Sequence, residues 1–268
     1  MQDSRVIVRN LAVPIRGAAP EWAGVRLAHV SDFHFRRWNG VYTAAQQALS
    51  TLDFDVAVAT GDFCNGPHKW ARSAELIRRF FGPLTERAPV YAVLGNHDHP
   101  ALAECEGLPV TFLRNQSVVV EVDGTEFRIA GVDQTRYTTE DLLGALGDSE
   151  GAGPTILLAH YPSTVFRLPA GRVDLQLSGH THGGQIRLPY LGCVWTNDGI
   201  PCRMARGLQL TGGTCLHVSP GIGVSQPIPW RFNCPPEVTV LNLTPADPVV
   251  PRGPAHEVET SVAICQDR

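Results

Sequence analysis

Short apolar runs closed by turn residues recur along the chain. They predict strands over Val25–Val30, Val56–Ala59, Val90–Leu94, Val118–Val122, Phe127–Gly131, Thr155–Ala159, Leu175–Leu177, Cys215–Ser219 and Val238–Leu243. Two stretches, Val41–Leu52 and Lys69–Phe81, instead space their apolar residues three and four apart, the period of a helix with one buried face. The first half therefore reads β-α-β-α-β, and Asp123-Gly124 between two alternating runs marks a hairpin. Strands outnumber helices in the second half. The expected fold class is α/β, a four-layer α/β/β/α sandwich of two mixed sheets flanked by helices. Residues 1–244 read as a single domain. Within it, residues 187–214 show few strand patterns and read as a surface excursion acting as a lid or specificity loop. The Pro-interrupted stretch 245–268 reads as an irregular or disordered tail.

Composition narrows the function classes. Of 268 residues, 43% are apolar and 18% charged, enough apolar residues for a packed core. The 22 Lys+Arg against 26 Asp+Glu leave a net charge of −4, which gives no electrostatic support to nucleic-acid binding. No apolar run approaches the ~18 residues of a membrane span, and MQDSRVIVRN lacks the layout of a secretory signal. A cytoplasmic location follows as the expectation, with peripheral membrane contact left open. Seven cysteines, odd in number and without a CxxC pair, fit reduced thiols better than a disulfide framework. Only Cys193 and Cys202 have a spacing that closes a plausible local loop, and the expected compartment argues against that bridge.

The chemistry sits where predicted strands end. VRLAHVSDFH closes on Asp32 and His34, DVAVATGD on Asp62, and VYAVLGNHD on Asn96, His97 and Asp98. TILLAHYP closes on His160, and LQLSGHTH on His180 and His182. Taken singly, an Asp after a strand is most often a turn or cap residue and a lone His is most often structural. Five such ends in one chain point to convergence, because ligands of α/β sheets bind beyond the carboxyl ends of the strands. Asp-x-His and His-x-His put two donors on one side of an extended segment, which suits a metal ion.

The ordered blocks D-x-H, G-D, G-N-H-D, H and G-H-T-H resemble those of the calcineurin-like metallophosphoesterase superfamily over at least residues 25–185. The extension GHTHGGQ, with the late PGIGVSQ and RFNCPPEVTVLNL segments, is similar to its YkuE/YaeI-type branch. That branch includes cell-wall-associated phosphoesterases and a UDP-diacylglucosamine pyrophosphate hydrolase of lipid A synthesis. The resemblance implies a hydrolase with two divalent ions, manganese first and iron or zinc as alternatives. Asp32, His34 and His182 would hold one ion, Asn96, His160 and His180 the other, and Asp62 both. His97 would be the catalytic histidine beside a metal-bridging hydroxide that attacks a phosphodiester, pyrophosphate or phosphomonoester. The expected partner is a small phosphorylated or lipid-linked substrate. Phosphoprotein phosphatases of this superfamily carry a second acid three residues after the GD Asp and a Glu in a GNHE block, where this chain has Asn65 and Asp98, which speaks against a phosphoprotein. A non-catalytic binding scaffold on the same fold is the alternative of another class, and the completeness of the ligand set speaks against it. Asp98 is read either as a partner orienting His97 or as a cap of the turn before Pro100, and Asp133 as a candidate acceptor behind a ligand histidine. Arg36, Arg37, Trp38, Trp195 and Trp230 are candidates for substrate contact, with solvated or packed surface as the plainer reading.

Overall fold

Asn39 starts the first helix by accepting hydrogen bonds at Oδ1 from Val41 N (3.0 Å) and Tyr42 N (3.2 Å), so α1 runs Gly40–Thr51. The computed structural model describes residues 5–16, 24–136, 138–147 and 153–246. Helix α2 spans Trp70–Phe81, and its buried residues Ala74, Leu76, Ile77, Phe80 and Phe81 follow the spacing seen in the sequence. Both helices pack on one face of a six-stranded mixed sheet. Its strands are β1 (Ile7–Arg16), β2 (Arg26–Val30), β3 (Val56–Thr60), β4 (Val90–Val93), β5 (Thr111–Phe112) and β14 (Glu237–Ala246), in the order β1-β14-β2-β3-β4-β5.

The second six-stranded sheet holds β6 (Gln116–Val122), β7 (Thr125–Gly131), β8 (Thr155–Leu158), β9 (Leu175–Ser178), β12 (Gly207–Thr211) and β13 (Thr214–Val218). Their order is β12-β13-β9-β8-β7-β6. Strands β2, β3, β4 and β5 run parallel to one another, as do β7, β8, β9 and β13. Leu27, Val56, Val58 and Val93 of the first sheet meet Phe127, Ile129, Ile156, Leu158 and Leu177 of the second in the interlayer core. The outer layer on the second sheet is thin: α3 is the five-residue helix Leu142–Leu146, joined by the 3-10 turn Pro162–Arg167. The two mixed sheets and flanking helices of the expected sandwich are thus present, unevenly covered.

Three differences from expectation have physical causes. Strand β1 escapes the pattern because its apolar faces change halfway. Val6 turns toward the helix-side core, whereas Leu11, Val13 and Ile15 turn into the interlayer core, and Pro14 sits where an edge strand tolerates it. Of the excursion 187–214, Gly207–Thr211 is the edge strand β12, and the two-residue strands β10 (Arg187–Leu188) and β11 (Gly192–Cys193) form a hairpin of their own. A disulfide joins Cys193 to Cys202, against the expectation of reduced thiols, with Cα atoms 5.6 Å apart. Of the expected tail, Pro245 and Ala246 complete β14, and residues 247–268 lie outside the described residues.

A polar chain crosses the interlayer core. His217 Nδ1 lies 2.9 Å from His29 Nδ1, and His29 Nε2 lies 2.8 Å from Thr60 Oγ1, which donates to Ser31 Oγ. Burial holds both histidines neutral: His29 falls well below the usual imidazole value of 6.5 and His217 falls to about 3. The unfolded chain binds protons there below about pH 6.5 and the folded chain does not, so stability drops as pH falls from 6.5 toward about 3. Urea unfolding of metal-depleted protein between pH 7.5 and 5 checks this. Wild type should lose stability more steeply than the His29→Leu/His217→Leu variant, by about 2–3 kcal/mol per pH unit at the acid end. Equal slopes would refute it.

Candidate metal centre

The parallel runs in both sheets end at one rim, and the loops leaving that rim carry the ligand-type residues. Beyond β2 and β3 the pairing continues into the loops: Asp32 N donates to Gly61 O (3.0 Å), His34 N to Asp62 O (2.9 Å) and Phe35 N to Phe63 O (2.8 Å). Phe33, Phe35 and Phe63 alternate with the polar residues and are buried against Phe80 and Phe81, so the loops are pinned from below. The second sheet supplies His160 after β8 and His180 and His182 after β9.

Two clusters result. Asp32, His34 and His182 form one, and Asp62, His160 and His180 the other; within each, the candidate ligand atoms lie within 4.8 Å of one another. His34 Nε2 is 3.0 Å from His182 Nε2 and 3.6 Å from Asp62 Oδ2, while His182 Nε2 is 3.5 Å from Asp32 Oδ1. On the other side His160 Nε2 lies 3.4 Å from Asp62 Oδ2, 3.2 Å from Asn96 Oδ1 and 3.2 Å from His180 Nδ1. Asp62 therefore faces both groups. Asn96, expected from the sequence, joins the second. His97 stands beside them: its backbone N donates to Asp62 Oδ1 (2.8 Å), its ring is 5.0 Å from that of His34, and it is half-buried where the other four are buried.

The backbone shows what this convergence requires. Asp32 (φ 52°), His34 (46°), Asp62 (54°), His180 (66°) and His182 (52°) are all left-handed, a conformation that costs a non-glycine residue of order 1–3 kcal/mol. Gly61 (φ 90°) lets the loops close, because a Cβ there would come within 2.7 Å of Gly95 N and 2.8 Å of His160 Nδ1.

Electrostatics fit a bound cation. Burial drives His34 down to about 4 and His180 to about 3, and holds His182 well below the usual range, so these imidazoles keep free lone pairs at neutral pH. Burial also pushes Asp32 up to about 7, with Asp62 adding to the rise. Burial alone would raise Asp62, but His160, His34 and His97 hold it well below the carboxylate range. His160 responds the other way: Asp62 and Asp32 overcome its burial and lift it to about 10. A proton between Asp62 and His160 is what a metal ion would displace. Imidazole nitrogens and carboxylate oxygens 3.0–3.6 Å apart suit a transition-metal ion better than calcium, with His160 giving up its proton when an ion binds.

Behind the ligands, some expectations need correcting. His160 Nδ1 donates to Thr60 O (2.7 Å), a carbonyl that orients the ring toward the site. Asp133 does not take that place; it accepts from Arg114 Nε (2.7 Å) and Thr138 Oγ1 (2.7 Å). Asp98 accepts from Cys64 N (2.7 Å) and Gly95 N (2.9 Å), stapling the Asp62 loop to the Asn96 loop, and His99 caps the turn at Pro100. Arg36 and Arg37 are exposed, while Trp38 donates to Thr43 Oγ1 and lies under the Arg79 guanidinium. Two neighbours had no role in the sequence reading. The Arg231 guanidinium lies 3.4 Å from both the carbonyl and Nδ1 of His182, and the Tyr161 ring packs 4.5 Å from that of His180. Arg231 sits in the quoted RFNCPP segment, but only folding shows that it meets His182.

By its donor set and its position the rim is a candidate metal-binding centre of an α/β sandwich. The chain belongs to the calcineurin-like phosphoesterase family, whose pattern residues 25–184 match. It is 31% identical over 233 residues to the uncharacterized metallophosphoesterase YkuE of Bacillus subtilis (strain 168), covering 82% of this chain and 79% of that protein. It is 34% identical over 173 residues to the phosphodiesterase YaeI of Escherichia coli (strain K12), covering 60% of each. A Bos taurus transmembrane protein with a metallophosphoesterase domain is 30% identical over 263 residues, 89% of this chain and 57% of that protein. The chain thus spans less than two thirds of the latter two. Membership makes it a metallophosphoesterase, a hydrolase of phosphoric esters. Among the described residues, no helix is long and apolar enough to cross a membrane.

Asp98 carries a stability prediction. Asp98→Ala leaves two buried N–H groups without an acceptor and should lower the unfolding free energy by about 2–4 kcal/mol. His97→Ala should stay within about 1 kcal/mol of wild type. Urea unfolding of the two variants side by side checks the pair, and equal losses would contradict the staple.

Proposed function

We propose that the protein is a dinuclear phosphoesterase acting on a phosphodiester or pyrophosphate, with phosphomonoesters as poorer substrates. The observation that carries this reading is the Asp62 carboxylate, whose Oδ2 faces His34 of one ligand group and His160 of the other. Asp32, His34 and His182 would hold one ion, Asn96, His160 and His180 the second, with Asp62 shared. Manganese suits the mixed nitrogen and oxygen donors, as iron or zinc would. A pair of divalent ions supplies acidification of a water and neutralisation of charge on the phosphoryl oxygens.

The chain's own residues do the rest. Asp62 is kept ionised by its histidine neighbours, so it is ready to be shared between two cations at neutral pH. His97 stands beyond the ligands on the open side, fixed through its backbone N, and delivers a proton to the departing oxygen or donates to the phosphoryl group. A cavity of about 520 Å³ lies between Tyr42 of α1 and Val224, Trp230 and Arg231; it touches none of the candidate ligands and meets the cluster only through Arg231, which contacts His182. The preference for a diester is supported by the likeness to YaeI, which carries the name phosphodiesterase.

Turnover of bis-p-nitrophenyl phosphate against p-nitrophenyl phosphate, with Mn²⁺ and with a chelated control, tests the substrate class. A chelator-sensitive preference for the diester is expected; preference for the monoester would overturn it. His97→Ala should cut kcat by about 10²–10⁴-fold and keep its metal content. Asp62→Asn should lose bound metal by elemental analysis, and retention of both ions would overturn the shared role.

A further inference from the structure

The segment that follows the His180–His182 turn exposes an apolar surface that the catalytic reading does not use. The β10–β11 hairpin has Pro189, Tyr190 and Leu191 at its tip. Tyr190 is fully exposed (107%), Leu191 is 77% exposed, and Val194 and Trp195 beyond the hairpin are 62% and 70% exposed. A second exposed strip, Ile228, Trp230 and Phe232, is tied alongside by backbone pairing of Ile186 with Phe232 and by Gln185 Nε2 donating to Ile228 O (2.7 Å). The Cys193–Cys202 disulfide and the packing of Ile200 and Met204 on Leu216 and Val218 anchor the base of this surface. Its tips are therefore held out on a braced support.

Charge identifies the partner. Residues 185–235 contain Arg187, Arg203, Arg206 and Arg231 and a single acid, Asp198, in a chain whose net charge is −4. Asp198 is turned inward, accepting from Ser163 N and Oγ. Arg231 is half-buried against His182 and the carbonyls of Gly223 and Cys234, and Arg187 donates to Gly183 O (2.8 Å); Arg203 is exposed and Arg206 half-buried, and among the described residues neither pairs with a carboxylate. Projecting Trp, Tyr and Leu side chains with Arg203 and Arg206 in the same segment complement an anionic lipid surface: the rings enter the headgroup region and the two guanidinium groups remain at the phosphate level. A second copy would bring the same positive charge to the contact. An exposed convex tip also differs from the recessed, well-packed centre of a protein interface.

We infer that the surface formed by Tyr190, Leu191, Val194, Trp195, Ile228 and Trp230 docks the protein on anionic bilayers, with the metal centre beside the membrane plane. The binding is independent of turnover, so it stands or falls separately from the phosphoesterase reading.

Flotation of the whole protein with vesicles of phosphatidylcholine, alone or with 40 mol% phosphatidylglycerol, tests this, with turnover of a soluble diester measured in parallel. Wild type should float with the anionic vesicles and not with the neutral ones. The Tyr190→Asp/Leu191→Asp/Val194→Asp and Arg203→Glu/Arg206→Glu variants should each bind about tenfold less, with melting temperature and soluble-substrate turnover unchanged. Absence of vesicle binding by folded wild type would overturn the inference. So would equal flotation of all three proteins, or a dimer in size-exclusion chromatography that the aspartate variant dissociates.

Discussion

One buried carboxylate, that of Asp62, organises the rim. Its Oδ1 accepts from the backbone of His97, and its Oδ2 lies within 3.6 Å of imidazole nitrogens from both ligand groups. An isolated carboxylate in that position would be driven toward protonation by burial; the histidines around it keep it charged. The result is an ionised carboxylate among three neutral imidazoles and a His160 whose proton an incoming cation would displace.

The fold exists on this account to bring five loops to that carboxylate. Strands β2, β3 and β4 carry Asp32, His34, Asp62, Asn96 and His97 from one sheet, and β8 and β9 carry His160, His180 and His182 from the other. Cross-sheet hydrogen bonds close the gap: His180 N donates to the Asp32 carboxylate (3.1 Å), and His160 Nδ1 donates to Thr60 O. Five left-handed residues persist because the aromatic core beneath and the bonds between loops fix them. Strain and precision are here two descriptions of the same loops.

Much of this was legible in the sequence because a parallel strand and the turn after it lie together in the chain. Apolar run followed by Asp, Asn or His located the five strand ends, and the ordered blocks named the residues that the two sheets bring together at the rim. What was not legible arises between segments far apart. Arg231 meets His182 across 49 residues, and Asp98 staples Cys64 and Gly95 although its neighbours suggested His97. Strand β1 hid behind a change of buried face, and β12 within a stretch whose polar residues fit an edge. Exposure of Tyr190 and Trp195 cannot be read from residue type at all, since an aromatic in a loop is as readily packed as projected.

Whether two cations share Asp62 is decided by anomalous diffraction from crystals of Mn²⁺-loaded protein. Two peaks about 3.5–4 Å apart are expected, one at Asp32, His34 and His182 and one at Asn96, His160 and His180, with the Asp62 carboxylate between them. A single peak at full Mn²⁺ loading, or two peaks without Asp62 in contact with both, would contradict that sharing.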